Sequence, residues 1–486
     1  MPSTHVSKER SSHLQITYPS MNEMTDLIKT ALKELQQLFG DRLTTSEAVR
    51  EHHSHDESWH AARAPDAVCF AQSADEVSSA LKICNRHKIP VIPFGTGTGL
   101  EGGTVAHRGG LCIDLSNMNS IVQVNLEDLD CTVQPGVTRK QLDSYLHDSG
   151  LFFPVDPGAD ASLGGMAATR ASGTNSVLYG TMRENILSLK VVLADGSIVT
   201  TGHRARKSAA GYDLTHLFIG SEGTLGIIVE LTLRLQGRPE AISSARVYFD
   251  DVEGAVNTAI QTIQLGIPIA RVELLDAAQM KAINAYSGTG YPEKVALFLE
   301  FHGTHASVRE QAESVGEICA DCGGSEFEWT AYEEQRREMW EARHSAAYAA
   351  MAVKPGSKAL ATDVCVPISR LAECIRETGD DVRKSTDIPS FLVGHIGDGN
   401  FHYVFLIDPD EPLEFDQVQQ LSERMVQRAL RMDGTCSGEH GVGLGKQKYL
   451  EPEFGPEAVS LMRNLKLAMD PNDILNPGKL VPGESA

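Results

Sequence analysis

No run of apolar residues in this chain approaches the roughly 20 that a membrane-spanning helix needs, so no transmembrane segment is expected. Positive charge is scarce: 43 lysines and arginines stand against 65 aspartates and glutamates, a net charge of −22. That balance argues against a basic face for nucleic acid and, less strongly, against an electrostatic anchor on anionic lipid. The stretch from Met1 to Tyr18 lacks the apolar core of a secretory signal, contains Glu9, and gives little support to an organelle transit peptide. The expected compartment is the cytoplasm, with a peripheral place on the inner face of a membrane as a variant and the mitochondrion less favoured. Cysteine is sparse and unpatterned. Nine residues, an odd number scattered along the chain, predict reduced core thiols rather than a disulfide framework. Cys319-Ala-Asp-Cys322 has no second pair after it and sits beside Gly323-Gly324, which argues against a zinc or redox motif.

What is present is enough apolar material for a sizeable core. The 486 residues are 41% hydrophobic and 22% charged, a globular composition, and about three domain-sized units suit that length. Residues 1–22 read as a loose leader. Leu27, Ile28, Ala31, Leu32, Leu35 and Leu38 then recur at helical spacing up to Gly40. Ser73-Ala-Asp-Glu76 is a capping box ahead of a helix ending near His87. A short strand, Ile89 to Phe94, runs into Gly95-Thr-Gly-Thr-Gly-Leu-Glu-Gly-Gly103. This loop contains GxGxxG at Gly97, Gly99 and Gly102. A Rossmann site, however, needs a helix directly after the glycines, and Gly103-Thr-Val105, Gly109-Gly110 and the strand Leu111 to Leu115 leave no room for one. What remains is a row of backbone N–H groups able to form an anion nest. The small-residue stretches at 154–175, a hairpin around Asp195-Gly196, and Gly220-Ser-Glu-Gly-Thr-Leu-Gly226 before the strand Ile227 to Leu235 complete this part.

Beyond Leu235, strand-like runs (245–249, 270–275, 296–302, 359–366, 390–393, 401–407) alternate with amphipathic helices (252–265, 307–322, 333–351, 370–383). This pattern suggests an open sheet with helices packed on one side. Within it lies His395-Ile-Gly-Asp-Gly-Asn-Phe-His402. On an unbroken strand, positions an odd number apart face opposite sides. The two imidazoles can share a site only if the backbone turns at Gly397 and Gly399. The residues leave two readings open: a surface hairpin with unrelated histidines, or, with Glu439, a two-histidine, one-carboxylate metal set with coordination positions left for substrate. Zinc is the first choice of metal, with manganese or iron as alternatives.

The glycine loop, the run PVDPGADASLGGMAAT at 154–169 and GSEGTLGII at 220–228 resemble the FAD-binding domain of the vanillyl-alcohol oxidase / p-cresol methylhydroxylase superfamily. Later motifs resemble the FAD-linked D-2-hydroxyacid dehydrogenases, nearest the D-lactate (cytochrome-type) branch, and the likeness runs from about Ser46 to Lys479. The resemblance implies an α+β fold. An FAD-binding domain of two subdomains (23–237) would precede an antiparallel-sheet substrate domain covered by helices (238–432), and a C-terminal segment (433–486) would return to the flavin. It implies non-covalent FAD, since Gly95–Gly103 holds neither His nor Cys. The implied contacts are Pro93, Gly95, Thr96, Gly97, Thr98, Gly99, Leu100, Glu101, Gly102 and Gly103 in the first loop. Pro157, Gly158, Ala159, Ser162, Gly164, Gly165, Ala168, Ser172, Gly173, Asn175 and Tyr179 follow, then Glu222, Gly223, Gly226, Ile227, Ile228 and Asn476. His395, His402 and Glu439 become the metal ligands.

The same resemblance makes His440 the general base on the substrate hydroxyl, with hydride passing from Cα to flavin N5. Arg343 would fork onto the substrate carboxylate, and Asn400 would either donate to substrate oxygen or shape the turn. Arg170 stands where small or amide residues are commoner. Ala361 and Ala347 replace a lysine and a threonine of hydroxyglutarate-type members, which implies a monocarboxylate substrate unless Lys358 folds in instead. The implied activity is oxidation of D-2-hydroxyacids, D-lactate first, to 2-oxoacids. The alternatives are a D-2-hydroxyglutarate dehydrogenase or the FAD subunit of a multi-subunit glycolate oxidase. The partners are a small acid and an electron acceptor (cytochrome, quinone or soluble carrier), with a homodimer possible.

Overall fold

The computed structural model describes residues 21–482. The expected leader lies outside these residues except for its last two, which open the helix Met21–Phe39. Ala31, Leu35 and Phe39 of that helix are buried against the helix Ala74–His87 and a small sheet. Ser73 caps the second helix by accepting the Glu76 N–H at 3.2 Å. The reciprocal arm of the capping box is missing. The Glu76 carboxylate instead takes the Gln72 N–H, one residue before the cap, at 2.8 Å and the Arg42 guanidinium at 2.6 Å.

The small sheet has the order Leu43–Thr44, Ala67–Phe70, Leu111–Asp114, Val91–Phe94, and its last two strands run parallel. The chain crosses between them through residues 95–110 with no helix, so the glycine loop stands alone. A second, antiparallel sheet follows the order Ile121–Asn125, Asp130–Val133, Ile227–Arg234, Ile186–Val192, Ile198–Thr200. Its core includes Leu163, Met166 and Ala167 of the short helix Leu163–Thr169. That helix starts where Ser162 Oγ accepts the Gly165 N–H.

The largest sheet is antiparallel, with strands in the order Ser325–Thr330, Ala241–Phe249, Val295–Gly303, Ile269–Leu275, Ser390–His395, Asn400–Ile407, Lys358–Ala361. Helices cover both of its faces, not one as the sequence pattern suggested. The reason lies in strands that are apolar on both sides. Val295, Leu297, Leu299 and Phe301 join one core, while Ala296 and Phe298 join another with Trp340 and Ala346. The helix expected over 333–351 breaks at Ser345, whose hydroxyl bonds back to the Ala342 carbonyl. The strand expected over 359–366 is interrupted at Thr362-Asp363. The edge strand Ser325–Thr330 and the helix Ala277–Ser287 were not anticipated.

The histidine hairpin resolves the parity problem. Val393 pairs with His402 and His395 pairs with Asn400, so residues 396–399 form the turn. Directly opposed residues of an antiparallel pair share a face, and so do residues two apart on one strand. His395 and His402 therefore lie on the same face despite their odd spacing. Gly399 sits at φ +79°, and a Cβ there would overlap the Val366 carbonyl oxygen. Gly399→Ala is expected to cost at least about 1–3 kcal/mol of stability; a melting temperature equal to wild type would contradict this account of the turn.

Candidate active site

The second face of the large sheet is only partly covered by helices. The remainder, carrying Arg271, Glu273, Glu300, His302, His395 and His402, faces the two smaller sheets. Between them lies a cavity of about 1310 Å³. Typical small-molecule sites run to about 300–1,000 Å³, so the space suits a dinucleotide together with a small acid. One wall is made by residues 95–100 and 103 of the glycine loop with Pro93, by residues 156–159, by residues 161–175 apart from Leu163, Ala167 and Arg170, and by Glu222, Gly223 and Gly226–Ile228. The other carries Arg343, Ala347, Ala361, Val393, His395, His402 and Val404, and Glu439, His440 and Asn476 complete the enclosure.

The flavin wall fits its cofactor on two counts. None of the backbone N–H groups of residues 95–103 donates to an acceptor among the described residues, which leaves a row of donors for a pyrophosphate. Close backbone packing also depends on missing Cβ atoms: at Gly95 one would overlap the Ser162 hydroxyl, and at Gly223 (φ +72°) it would lie 2.5 Å from Pro93. The C-terminal segment braces this loop. Asn476 donates to the Gly103 carbonyl at 3.0 Å and the Glu222 carbonyl at 2.7 Å. The Glu222 carboxylate accepts the N–H groups of Val442 and Gly443 at 2.7 and 2.8 Å.

Three residues expected to touch flavin stand off the wall. Glu101 is buried 3.2 Å from Lys446, and burial pushes its carboxyl up to about 7. Gly102, at φ +75°, lets the loop pass over His60. Tyr179 bonds His302 through its hydroxyl at 2.7 Å. Arg170 also lies off the wall, donating to the Ile219 carbonyl, and Lys358 is exposed and does not line the cavity.

On the facing wall, Glu439 Oε1 lies 3.5 Å from His395 Nε2 and 3.2 Å from His402 Nε2. One ligand atom from each of the three residues falls within 4.8 Å of the others. His402 Nδ1 donates to the Thr362 carbonyl at 2.9 Å, which turns Nε2 toward the cavity; that atom is buried without a hydrogen-bond partner. His395 Nδ1 meets Glu273 Oε1 at 2.6 Å, and Ser172 Oγ donates to Glu439 Oε2 at 2.6 Å. Burial alone would depress the His395 imidazole, but Glu273 and Glu439 hold it well above the usual range. The same burial works against Glu439 as an anion, yet the two histidines keep its carboxyl well below that of a free side chain. Once an incoming cation displaces the proton from His395 Nε2, two imidazole nitrogens and a carboxylate around one point form a donor set suited to a divalent ion.

A second trio, Asp363, His402 and His440, is equally compact. Its carboxylate is already spent. Asp363 accepts Asn400 Nδ2 at 2.8 Å, Ser437 Oγ at 2.9 Å and the N–H groups of Glu439 and His440 at 3.0 Å each. Lys446 Nζ adds an ion pair at 3.3 Å. Asp363 thus clamps the backbone that carries Glu439 and His440. Asn400 gives its amide hydrogens to Asp363 and to the Val364 carbonyl and lies off the cavity wall.

The His440 ring stacks on His402 with centroids 5.1 Å apart, and its Nδ1 is buried without a partner. Burial pushes this imidazole down to about 4, so it stands as a neutral acceptor at pH 7. Arg343 reaches the cavity, with Nη2 and Nε on Glu273 Oε2 at 2.7 and 3.1 Å. Sequence reasoning did not assign roles to Glu273, Asp363 or Lys446. The available signal for Glu273 was a carboxylate inside the strand Ile269–Leu275, which apart from it and Arg271 is apolar.

A dinucleotide-sized cavity walled by a helix-free glycine loop, facing an antiparallel sheet that carries the polar centre, belongs to one class of enzyme. The chain is an FAD-linked oxidoreductase and a member of the FAD-linked oxidase family: residues 65–202 match the FAD binding domain, and residues 238–480 match the FAD linked oxidases, C-terminal domain. It is 53% identical to the probable mitochondrial D-lactate dehydrogenase of Danio rerio, over 94% of this chain and 93% of that one. Identity to the mitochondrial D-lactate dehydrogenase [cytochrome] of Arabidopsis thaliana is 47%, over 95% and 81%. Glycolate oxidase subunit GlcD of Bacillus subtilis is 35% identical over 93% and 97%. Among solved structures, 4-ethylphenol oxidase from Gulosibacter chungangensis superposes with a TM-score of 0.78 at 18% identity, covering 94% of this chain and 98% of that one. p-Cresol methylhydroxylase gives 0.76 at 18%, covering 95% and 97%. These two share the α+β fold expected from the glycine-rich motifs.

Proposed function

We propose that this protein oxidises D-2-hydroxyacids, D-lactate first, to 2-oxoacids. The observation that carries the proposal is one cavity wall holding the His395, His402 and Glu439 donor set, a neutral His440 and the Arg343 guanidinium, opposite a flavin-sized space. Bound FAD supplies the two-electron acceptor, taking hydride from the substrate Cα. A divalent cation, zinc or manganese, held by the three donors would lower the pKa of the substrate hydroxyl.

The chain's own residues do the rest. His440 accepts the hydroxyl proton; its neutrality, enforced by burial, keeps it competent at pH 7. Arg343 receives the substrate carboxylate, and Asp363 holds the Glu439-His440 backbone in register. Ala347, Ala361, Val393 and Val404 present no cationic group to a second carboxylate. We take 23–237, 238–432 and 433–486 as the working units of this activity.

The relatives' names favour a cytochrome among the acceptors that the sequence left open. They also favour a mitochondrial compartment over the cytoplasm; no helix among the described residues is long and apolar enough to cross a membrane. The test is a comparison of kcat/KM with a dye acceptor. D-Lactate is expected to exceed both D-2-hydroxyglutarate and glycolate by at least about tenfold, the weight of an unmatched second carboxylate in the first case and of a missing methyl in an apolar pocket in the second. D-2-Hydroxyglutarate as the best substrate would refute the monocarboxylate assignment. Glycolate as the best would instead favour the activity named for the Bacillus subtilis relative.

A further inference from the structure

Glu273 has no exposed surface and sits in mid-strand, paired across the sheet with His395. Its two oxygens serve different elements. Oε1 meets His395 Nδ1 at 2.6 Å, and Oε2 receives Nη2 and Nε of Arg343, from the helix Glu333–His344, at 2.7 and 3.1 Å. The side chain of Arg343 has no other hydrogen-bond or ion-pair partner among the described residues, so Nη1 remains for the cavity. A carboxylate on one imidazole nitrogen fixes the ring's orientation and tautomer and strengthens the other nitrogen as a ligand. A planar guanidinium gripped along one edge is likewise pre-set to offer its remaining hydrogens.

We infer that Glu273 is a positioning residue for both halves of the site at once: it aims His395 Nε2 at Glu439 and His402, and it sets Arg343 on the wall where a substrate carboxylate binds. The histidine half rests on the proposed metal reading. A purely structural ion pair would stabilise the sheet without tuning either function, so the two roles predict different measurements.

The experiment strips the flavin-loaded protein with a chelator and titrates zinc back against a chromophoric competitor; KM and kcat for D-lactate are measured separately. In Glu273→Gln the chain keeps its shape, but the amide cannot serve both a His395 N–H and an Arg343 fork. Zinc affinity is expected to fall about 10–100-fold, and KM to rise about tenfold or more, with flavin content unchanged. Should Glu273→Gln lose flavin, Glu273→Asp is the second variant. It retains the charge but is one methylene too short to meet both partners, and it is expected to show both losses. Wild-type zinc affinity and KM in a flavin-retaining variant would overturn the inference. A fall in zinc affinity with KM unchanged would overturn the Arg343 half. Wild-type protein that binds no zinc at all would refute the metal reading, a result distinct from either.

Discussion

His440→Ala is expected to slow flavin reduction by D-lactate about 10²–10⁴-fold, the usual range for loss of a positioned general base, while flavin content and melting temperature stay near wild type. The His440 side chain accepts no hydrogen bond in the core: its Nδ1 is unpartnered, its ring lies flat against His402, and its position is held by the backbone N–H to Asp363. Truncating the ring therefore removes chemistry more than structure. The sign of the pH dependence follows from the same burial. With the imidazole pushed down to about 4, the neutral form that accepts a proton is lost only as pH falls through that value. The acid limb of kcat/KM belonging to this base is expected near pH 4, well below the ~6.5 of an ordinary histidine. Rapid-mixing reduction of the flavin across pH, in wild type and variant, checks both statements. Wild-type rates in His440→Ala would remove the base from the account.

Glu439→Gln is the second large effect. Among the described residues the carboxylate is the acidic group that reaches both His395 Nε2 and His402 Nε2, and its other oxygen is fixed by Ser172. An amide at this position keeps the volume and loses the charge that makes the trio a cation site. Zinc binding and D-lactate turnover are expected to fall together, by more than the roughly 10–100-fold that removing an outer partner of a metal ligand costs. The variant should still fold, because the Glu439 backbone N–H remains bonded to Asp363. Metal analysis of the purified variant beside its steady-state rate decides the matter. Full turnover without bound metal would refute the cation site.

Much of this site was legible in the sequence because it rests on local rules. The glycine loop could be denied a Rossmann helix simply by counting residues to the strand Leu111–Asp114. The hairpin at Gly397–Gly399 was implied by the parity of two histidines, and the structure supplies the register that makes it work. What the sequence did not disclose depends on partners distant along the chain. Glu273 reads as an odd charge in a strand until the sheet order sets it beside His395. Glu101 lies within the flavin loop yet turns away to Lys446, and nothing in the loop's own composition signals that. Helices on both faces of the large sheet were missed because alternating and continuous apolar strands were read alike, whereas Phe298 and Leu299 face different cores. The low pKa of His440 is likewise a property of burial that spacing does not encode.

The central claim is that one cavity joins flavin, cation site and base for a D-2-hydroxyacid. Its most direct test is anaerobic mixing of the flavin-loaded protein with D-lactate, followed by the visible flavin absorbance, before and after chelator treatment and after adding zinc or manganese back. The account predicts rapid bleaching by D-lactate and not by L-lactate, loss of bleaching on chelation, and recovery when metal returns. A flavin that stays oxidised in the metal-loaded protein, or that bleaches equally well after chelation, would contradict it.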